Sequence, residues 1–203
     1  MKKLAFLSII VSLFFTVNAT AQFKPPANKK ELTNQQKMLP FAMGMALSVL
    51  GERYDENHYE VIVSLQKQIR YWSAELKPVV DLKNEKNNYL RREVIEKATK
   101  ALQEKSSQPD RWQILLGDYF GNIFVELKKA EDEKVKPDSA QIKFYIEVIE
   151  KMAQNPPQDI PWDVLDKLNK FSELSKIEDF STDENIKLLA GKVINILDEI
   201  TKE

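Results

Sequence analysis

The sequence predicts an all-α fold, a single compact bundle of about seven helices. Glycine accounts for only 5 of 203 residues, so the chain has few of the residues that the tight turns of an all-β fold require. Apolar residues recur with the spacing of one helix face along most of the chain, and no window alternates with period two for long enough to form a strand. Hydrophobic residues make up 43% of the chain, which is enough for one globular core.

The first 21 residues have the three parts of a signal peptide. Lys2 and Lys3 form a basic start, residues 4–17 are an apolar run, and Ala19-Thr20-Ala21 has the small residues at which a signal peptidase cuts. A membrane anchor would need about 20 apolar residues. We therefore predict cleavage after residue 21, no membrane anchor after cleavage, and an exported, soluble protein in the periplasm or outside the cell.

Residues 22–31 are predicted to form a flexible polar leader, because few of them are able to pack. Residues 32–203 are predicted to form a single α-helical domain. Asp55 is expected to cap its second helix, Pro78 to end that helix, and Ser181 to form a capping box with Glu184 at the start of the last helix. The helices are predicted at residues 40–50, 55–78, 82–102, 106–127, 139–152, 162–174 and from 181 onward.

Three of these helices have informative apolar patterns. Helix 40–50 is apolar on every side and is therefore expected to be buried. The more polar helix 82–102 is expected to bury Leu90, Val94, Ala98 and Ala101 or Leu102. Helix 106–127 has the widest stripe, formed by Trp112, Leu115, Leu116, Tyr119, Phe120, Ile123, Phe124 and Leu127.

Four of the five glycines fall inside predicted helices, at Gly44, Gly117, Gly121 and Gly191. A glycine in a helix interior lowers stability by about 1 kcal/mol relative to alanine. We therefore expect each to lie where two helices cross closely. Gly44 and Gly117 are each followed by a further helix with aromatic residues. This recurrence also suggests a diverged internal duplication with subdomains 32–106 and 107–203.

The residue types of many familiar enzyme sites are missing. The chain has no Cys and one His, which excludes disulfides, thiol catalysis and His-rich metal centres, and we expect no cofactor and no metal. His58 is expected to pack rather than to catalyse, and no catalytic residue is assigned. Among the carboxylates only Asp118, between two glycines, has an unusual setting. The net charge of −1 provides no field that would hold nucleic acid or an anionic membrane.

A short motif stands at the start of the helical domain. Residues 32–36 read Leu-Thr-Asn-Gln-Gln, which resembles the signature of the LTxxQ family of small periplasmic stress chaperones. The resemblance implies an exported, all-α protein without cofactors that binds unfolded clients on a concave face. The motif occurs once here, whereas that family usually shows it twice together with a cradle rich in Met and Arg. The same letters also form a capping box, with Thr33 as the cap and Gln36 as its partner.

We expect a non-enzymatic binding or interaction module whose partner is a protein or a small apolar ligand held between helices. One alternative is an LTxxQ-like chaperone, which would expose a large apolar surface. Another is a hydrolase that uses carboxylates or His58, which would need a deep pocket with at least two convergent ionisable groups. The residues expected to bind are Gly117, Asp118, Tyr119, Phe120, Gly121, Phe124, Tyr71 and Trp72.

Overall fold

The computed structural model describes residues 32–201, and this part of the chain is all-α, as the sequence predicts. It contains nine α-helices and no strand. The predicted signal peptide and leader lie outside the described residues. The helices are α1 (Asn34–Lys37), α2 (Leu39–Glu52), α3 (Glu56–Gln68), α4 (Ser73–Val80), α5 (Asn88–Lys105), α6 (Gln108–Lys128), α7 (Ser139–Gln154), α8 (Trp162–Ser172) and α9 (Asp183–Thr201).

The motif at residues 32–36 forms the capping box that its letters predict. The Thr33 side chain accepts a hydrogen bond from the Gln36 backbone N–H at 3.3 Å, and Gln36 Oε1 accepts one from the Thr33 N–H at 3.1 Å. Helix α1 ends at Lys37, and Met38 separates it from α2, which has Pro40 in its first turn. The break therefore falls just before the proline.

Helix α2 is the centre of the fold. Eleven of its 14 residues are buried, which confirms that a helix apolar on every side lies inside. It packs against α6, α5 and α3, while α7, α8 and α9 continue outward from α6. One hydrophobic cluster includes residues of both predicted subdomains, so the described helices share a core. The internal duplication stays a prediction.

Three glycines allow α2 and α6 to approach closely. A Cβ atom on Gly44 would overlap the Ile114 carbonyl oxygen, and one on Gly117 would overlap the Phe41 carbonyl oxygen. A Cβ on Gly121 would lie 2.8 Å from the Met45 carbonyl oxygen. The predicted close crossing is therefore present at these positions. The prediction is wrong for Gly191, where a Cβ would meet no atom within 4 Å.

The predicted helix 55–78 is wrong in its continuity. Asp55 caps α3 by accepting the His58 N–H, but the chain leaves the helix at Ile69 and makes a 3₁₀ turn over Arg70–Trp72 before α4. Gln66 and Ser73 exchange two hydrogen bonds across the break, and the Ser73 hydroxyl donates to the Gln66 carbonyl, which a continuous helix would have paired with the Arg70 N–H. Pro78 lies within α4, two residues before its end, so it does not end the helix.

The predicted helix 82–102 is wrong in its start and in the first half of its buried face, while Ala98 and Leu102 are buried as predicted. Helix α5 begins at Asn88, after Asn87 accepts the N–H groups of its first turn. Its buried residues are Arg91, Ile95, Ala98 and Leu102, while Leu90 is exposed. The inward face is rotated from the prediction because an arginine takes an inward position.

The last three helices form one group, with α8 packed against both α7 and α9. Their buried positions keep the helical spacing, for example Val164, Leu168 and Phe171 in α8. The predicted capping box at residue 181 is wrong. The Thr182 hydroxyl accepts the Asn185 N–H at 3.3 Å, and Ser181 pairs instead with Asp179. Within residues 32–201, no helix is long and apolar enough to cross a bilayer.

Candidate functional site

The structure does not bring the eight predicted binding residues together. Four of them lie on α6 and are buried, namely Gly117, Gly121, Phe120 and Phe124. The Phe120 ring lies 5.7 Å from that of Phe41 and 5.0 Å from that of Phe171, centroid to centroid. These four positions are occupied by packing partners, and no ligand reaches them without separating helices.

The remaining predicted residues lie in three different places. Trp72 is fully buried, whereas its neighbour Tyr71 is 64% exposed. Tyr119 is half-buried against Tyr145 of α7, with ring centroids 5.9 Å apart. Asp118 lines a surface cleft together with Ser48 and Arg92. Tyr71 and Asp118 are therefore the two predicted residues that line surface sites.

Tyr71 lines a groove of about 770 Å³ where the first turns of α2, α6 and α8 meet the 3₁₀ turn after α3. We call it the aromatic groove. Its apolar wall includes Leu32, Pro40, Ile69, Tyr71, Pro109 and Trp162. Its polar lining includes Gln36, Lys37, Gln68, Asp110, Gln113, Gln158 and Asp159. The volume lies in the range typical of small-ligand sites, about 300–1,000 Å³.

Two aromatic side chains on this groove are largely open to solvent. Trp162 is 74% exposed and Tyr71 is 64% exposed, and Leu32 adds a third exposed apolar side chain. The Tyr71 hydroxyl donates to Asp110 Oδ2 at 3.3 Å. Burial, the charge of Asp110 and this hydrogen bond raise the pKa of Tyr71 to about 12. The phenol therefore stays protonated, and its ring is held in position by α6.

Gln113 provides a buried polar group at the aromatic groove. Its side chain is 3% exposed, and its Nε2 donates to the Lys37 carbonyl oxygen at 3.0 Å. Among the described residues no group donates to Gln113 Oε1, which is itself buried. A buried acceptor without a donor destabilises a protein by about 1–3 kcal/mol. Gln113 Oε1 is therefore an acceptor that the described part of the chain leaves unsatisfied.

The sequence reasoning missed Trp162 and Gln113. A signal for Trp162 was present, because Val164, Leu168 and Phe171 define the buried face of α8 and a residue two positions before Val164 falls on the opposite face. Gln113 had no such signal. It lies next to Trp112 and Ile114 in an apolar stripe, and only the fold shows that it contacts the end of α1.

Asp118 lines a second site, a cleft of about 290 Å³ between α2, α5 and α6. We call it the Asp118 cleft; it also contains Ser48, Glu52, Arg92 and Glu96. Burial raises the pKa of Asp118, while hydrogen bonds with Ser48 and Asn122 oppose the rise. Arg92 pairs with Glu52 at 2.5 Å. Carboxylates are present, but in residues 32–201 no cluster of acidic and histidine side chains could hold a metal ion.

His58 lies inside the protein rather than in a pocket. Its side chain is 3% exposed, its ring centroid lies 5.6 Å from that of Phe124, and Nδ1 lies 2.9 Å from Asp55 Oδ1. Burial would raise the pKa of Asp55, but the hydrogen bonds and charge interaction with His58 outweigh it and lower the pKa to about 2. The pair fixes the start of α3, and a substrate in solvent does not reach the ring.

Comparisons with protein-family models, with curated proteins and with solved structures find no match to this chain.

Proposed function

We propose that this chain is a non-enzymatic binding module that takes its ligand in the aromatic groove. The observation that carries the proposal is the convergence of Trp162, Tyr71 and Leu32 on one groove of ligand size. Exposed aromatic rings that line a shared concavity are typical of recognition surfaces, whereas single exposed apolar side chains are common on any protein. The ligand is a protein partner or an apolar small molecule.

The polar groups of the groove support binding rather than catalysis. Its carboxylates are Asp110 and Asp159, and Asp110 is already hydrogen-bonded to Tyr71. A hydrolase needs an acid and a base of different proton affinity at one reacting bond. The Asp118 cleft, where burial raises the pKa of one carboxyl group, is the better place for such chemistry, and a hydrolase is our second candidate function.

Nuclear magnetic resonance of the ¹⁵N-labelled chain distinguishes the two sites. A library of small-molecule fragments and short peptides is titrated against wild type, Trp162→Ala and, as a control, Tyr89→Ala, whose aromatic ring is 80% exposed away from the groove. We expect amide shifts clustered around Gln36, Tyr71 and Trp162, lost in Trp162→Ala and kept in Tyr89→Ala. Shifts confined to residues around Asp118 would overturn the proposal and favour the hydrolase.

Export is part of the same proposal. The three parts of a signal peptide at residues 1–21 support it. The intact mass of the protein isolated from its source cells should correspond to a chain that starts at Gln22. A mass that retains Lys2 and Lys3 would contradict export by cleavage.

A further inference from the structure

We infer that the ligand of the aromatic groove is an extended polypeptide segment that carries proline and a basic side chain. The inference rests on the proposed function, and it specifies the chemical class that the groove accepts. Three features of the groove support it: a buried acceptor, exposed aromatic rings beside prolines, and an unpaired carboxylate.

The buried acceptor is Gln113 Oε1. Gln113 lies on the lining of the groove, its side chain is 3% exposed, and no described group donates to Oε1, which is itself shielded from solvent. A ligand group reaches Oε1 only if the lining yields slightly, so the donor that it brings has to be slim. The N–H of an extended main chain is a slim donor, since it projects from a backbone without a bulky group around it. Donation by the ligand would satisfy the acceptor that the fold leaves unsatisfied.

The aromatic rings favour proline. Tyr71 and Trp162 expose their rings at the groove, where Pro109 adds a further apolar wall. Proline-rich segments adopt the polyproline II conformation before they bind, so they lose little entropy in docking onto aromatic surfaces. Proline also lacks an N–H, so the donor to Gln113 comes from a neighbouring residue of the ligand.

The charge of the groove favours a basic residue in the ligand. Asp159 lines the groove and forms no ion pair within the described part of the chain. Asp110 accepts the Tyr71 hydroxyl through Oδ2 and keeps a second oxygen as an acceptor. Lys37 also lines the groove, so two carboxylates and one ammonium group give it a net negative charge, which attracts a lysine or arginine of the ligand.

A carbohydrate fits these groups less well. A sugar presents many hydroxyl groups and needs many free polar partners. Two glutamines of the lining already bond within the protein, because Gln36 Oε1 accepts from Thr33 and Gln68 Nε2 donates to Ser64. About half of the lining is apolar or aromatic, which suits proline and aliphatic side chains.

The test uses a synthetic peptide, acetyl-Gly-Ser-Lys-Pro-Pro-Leu-Ser-Gly-amide, titrated against the full chain by calorimetry and by amide shifts. One comparison peptide replaces both prolines with alanine, and another replaces lysine with glutamate. Linear chitotetraose serves as the carbohydrate probe. Residues 24–26 of the chain itself read Lys-Pro-Pro, so each titration is repeated with Pro25→Ser and Pro26→Ser combined, as a control for competition by the chain's own sequence.

The protein variants assign the contacts. Trp162→Ala should weaken binding of the proline peptide about tenfold or more, and Gln113→Leu about tenfold, as expected when one buried hydrogen bond is lost. Asp159→Asn should lower the affinity for the lysine peptide and remove its preference over the glutamate peptide. Tyr89→Ala is the matched control and should leave all affinities unchanged. Because Trp162 and Asp159 are exposed, their variants keep the fold even if Gln113→Leu does not.

The possible results separate the ligand class from the site. Equal binding of the three peptides, or shifts at the groove from chitotetraose and none from the peptides, would overturn the peptide proposal while the groove remained a binding site. No shift at the groove with any peptide, sugar or fragment would overturn both the peptide proposal and the proposed function. Preference for the Lys-Pro-Pro peptide that is lost in Trp162→Ala supports both.

Discussion

The guanidinium of Arg91 donates from Nε to the carbonyl oxygen of Leu50 at 2.6 Å, across the interface between α5 and α2. Leu50 lies in the last turn of α2, where carbonyl groups have no partner within the helix. Arg91 is only 2% exposed, and it also donates to the Glu85 carbonyl and to Asn88 Oδ1. Burial lowers the pKa of Arg91, and the charge of Glu85 opposes that change. A side chain of α5 therefore caps a backbone carbonyl group in the last turn of α2.

Replacement of this arginine should strongly destabilise the fold. Arg91→Met keeps much of the buried volume but leaves two backbone carbonyls without a donor, so we expect a loss of about 2–4 kcal/mol in the free energy of unfolding. The matched control is Arg92→Met, which removes a half-exposed pair with Glu52 and should lower stability by less than about 1 kcal/mol. Urea denaturation measures both. Equal losses in the two variants would contradict the capping role of Arg91.

The same residue explains where prediction from the sequence fails. Leu90, Val94, Ala98 and Leu102 have the spacing of one apolar helix face. Arginine is mostly exposed in folded proteins, so the sequence alone does not place Arg91 inside. Only the position of the Leu50 carbonyl makes an inward arginine favourable. The apolar helix α2 and the start of α3 were predictable because burial and capping act locally.

The candidate site was predictable in part. Tyr71 was identified, but the aromatic groove combines it with side chains from α6 and α8 that are far away in the sequence. The break at Ile69 turns Tyr71 outward and its neighbour Trp72 into the core. No local pattern predicts that break, since the apolar spacing of a continuous helix runs through it.

Larger side chains at Gly121 should separate α2 from α6. A Cβ at this position would lie 2.7 Å from Ser48 Cβ and 2.8 Å from the Met45 carbonyl oxygen. To relieve these contacts the backbone of α2 would have to shift, which destabilises the packing. We expect Gly121→Ala to lower stability by about 1–2 kcal/mol, although alanine is the better helix former, and Gly121→Leu to lower it further. Denaturant midpoints decide the sign. Two stabilised variants would show that the helices do not cross closely here.

Substitution of Gly191 should have the opposite effect on stability to substitution of Gly121. Gly191 lies inside α9, and a Cβ there would meet open space within 4 Å. Gly191→Ala should therefore raise the free energy of unfolding by up to about 1 kcal/mol, because alanine restricts the unfolded chain and favours the helix. The measurement is the shift in thermal midpoint relative to wild type. A lower midpoint would mean that this glycine meets a neighbour after all.

Acid should weaken the start of α3. The pKa of Asp55 is about 2 in the folded protein, against 3.8 for the ordinary side chain. The unfolded chain therefore binds more protons between these values, so the contribution of Asp55 is present above pH 4 and is lost as the pH falls toward 2. Asp55→Asn keeps an N-cap acceptor and removes the charge. It should lower stability at pH 7 by about 1 kcal/mol, given that about a third of the Asp55 side chain is exposed, and by almost nothing near pH 2. A constant difference across this range would contradict the depressed pKa.

The contribution of Asp118 to stability should depend on pH in the opposite direction to that of Asp55. The direction of this dependence bears on function. Burial raises the pKa of Asp118, so the folded protein holds the proton more tightly than the unfolded chain does. The stability that the protonated form contributes is present at low pH and is lost as the pH rises through the folded pKa. Asp118→Asn keeps an oxygen that accepts from Asn122 but has no charge to bury, so it should be more stable than wild type at pH 7, by up to about 1 kcal/mol. The difference in stability between Asp118→Asn and wild type should be smaller at pH 3 than at pH 7. Glu96→Gln, at an exposed carboxylate of the same cleft, is the control and should show no change at either pH.

The comparison of stability with binding then separates the two sites. Sites that act on a ligand often retain charged groups that lower the stability of the fold. If Asp118→Asn is more stable and binds the groove ligand as wild type does, the carboxylate is not part of the binding site, and the aromatic groove acts alone. If Asp118→Asn is more stable but loses binding or turnover while Trp162→Ala does not, the Asp118 cleft is the functional site and the groove proposal is wrong. Paired urea denaturation and peptide calorimetry on the same three proteins give the answer.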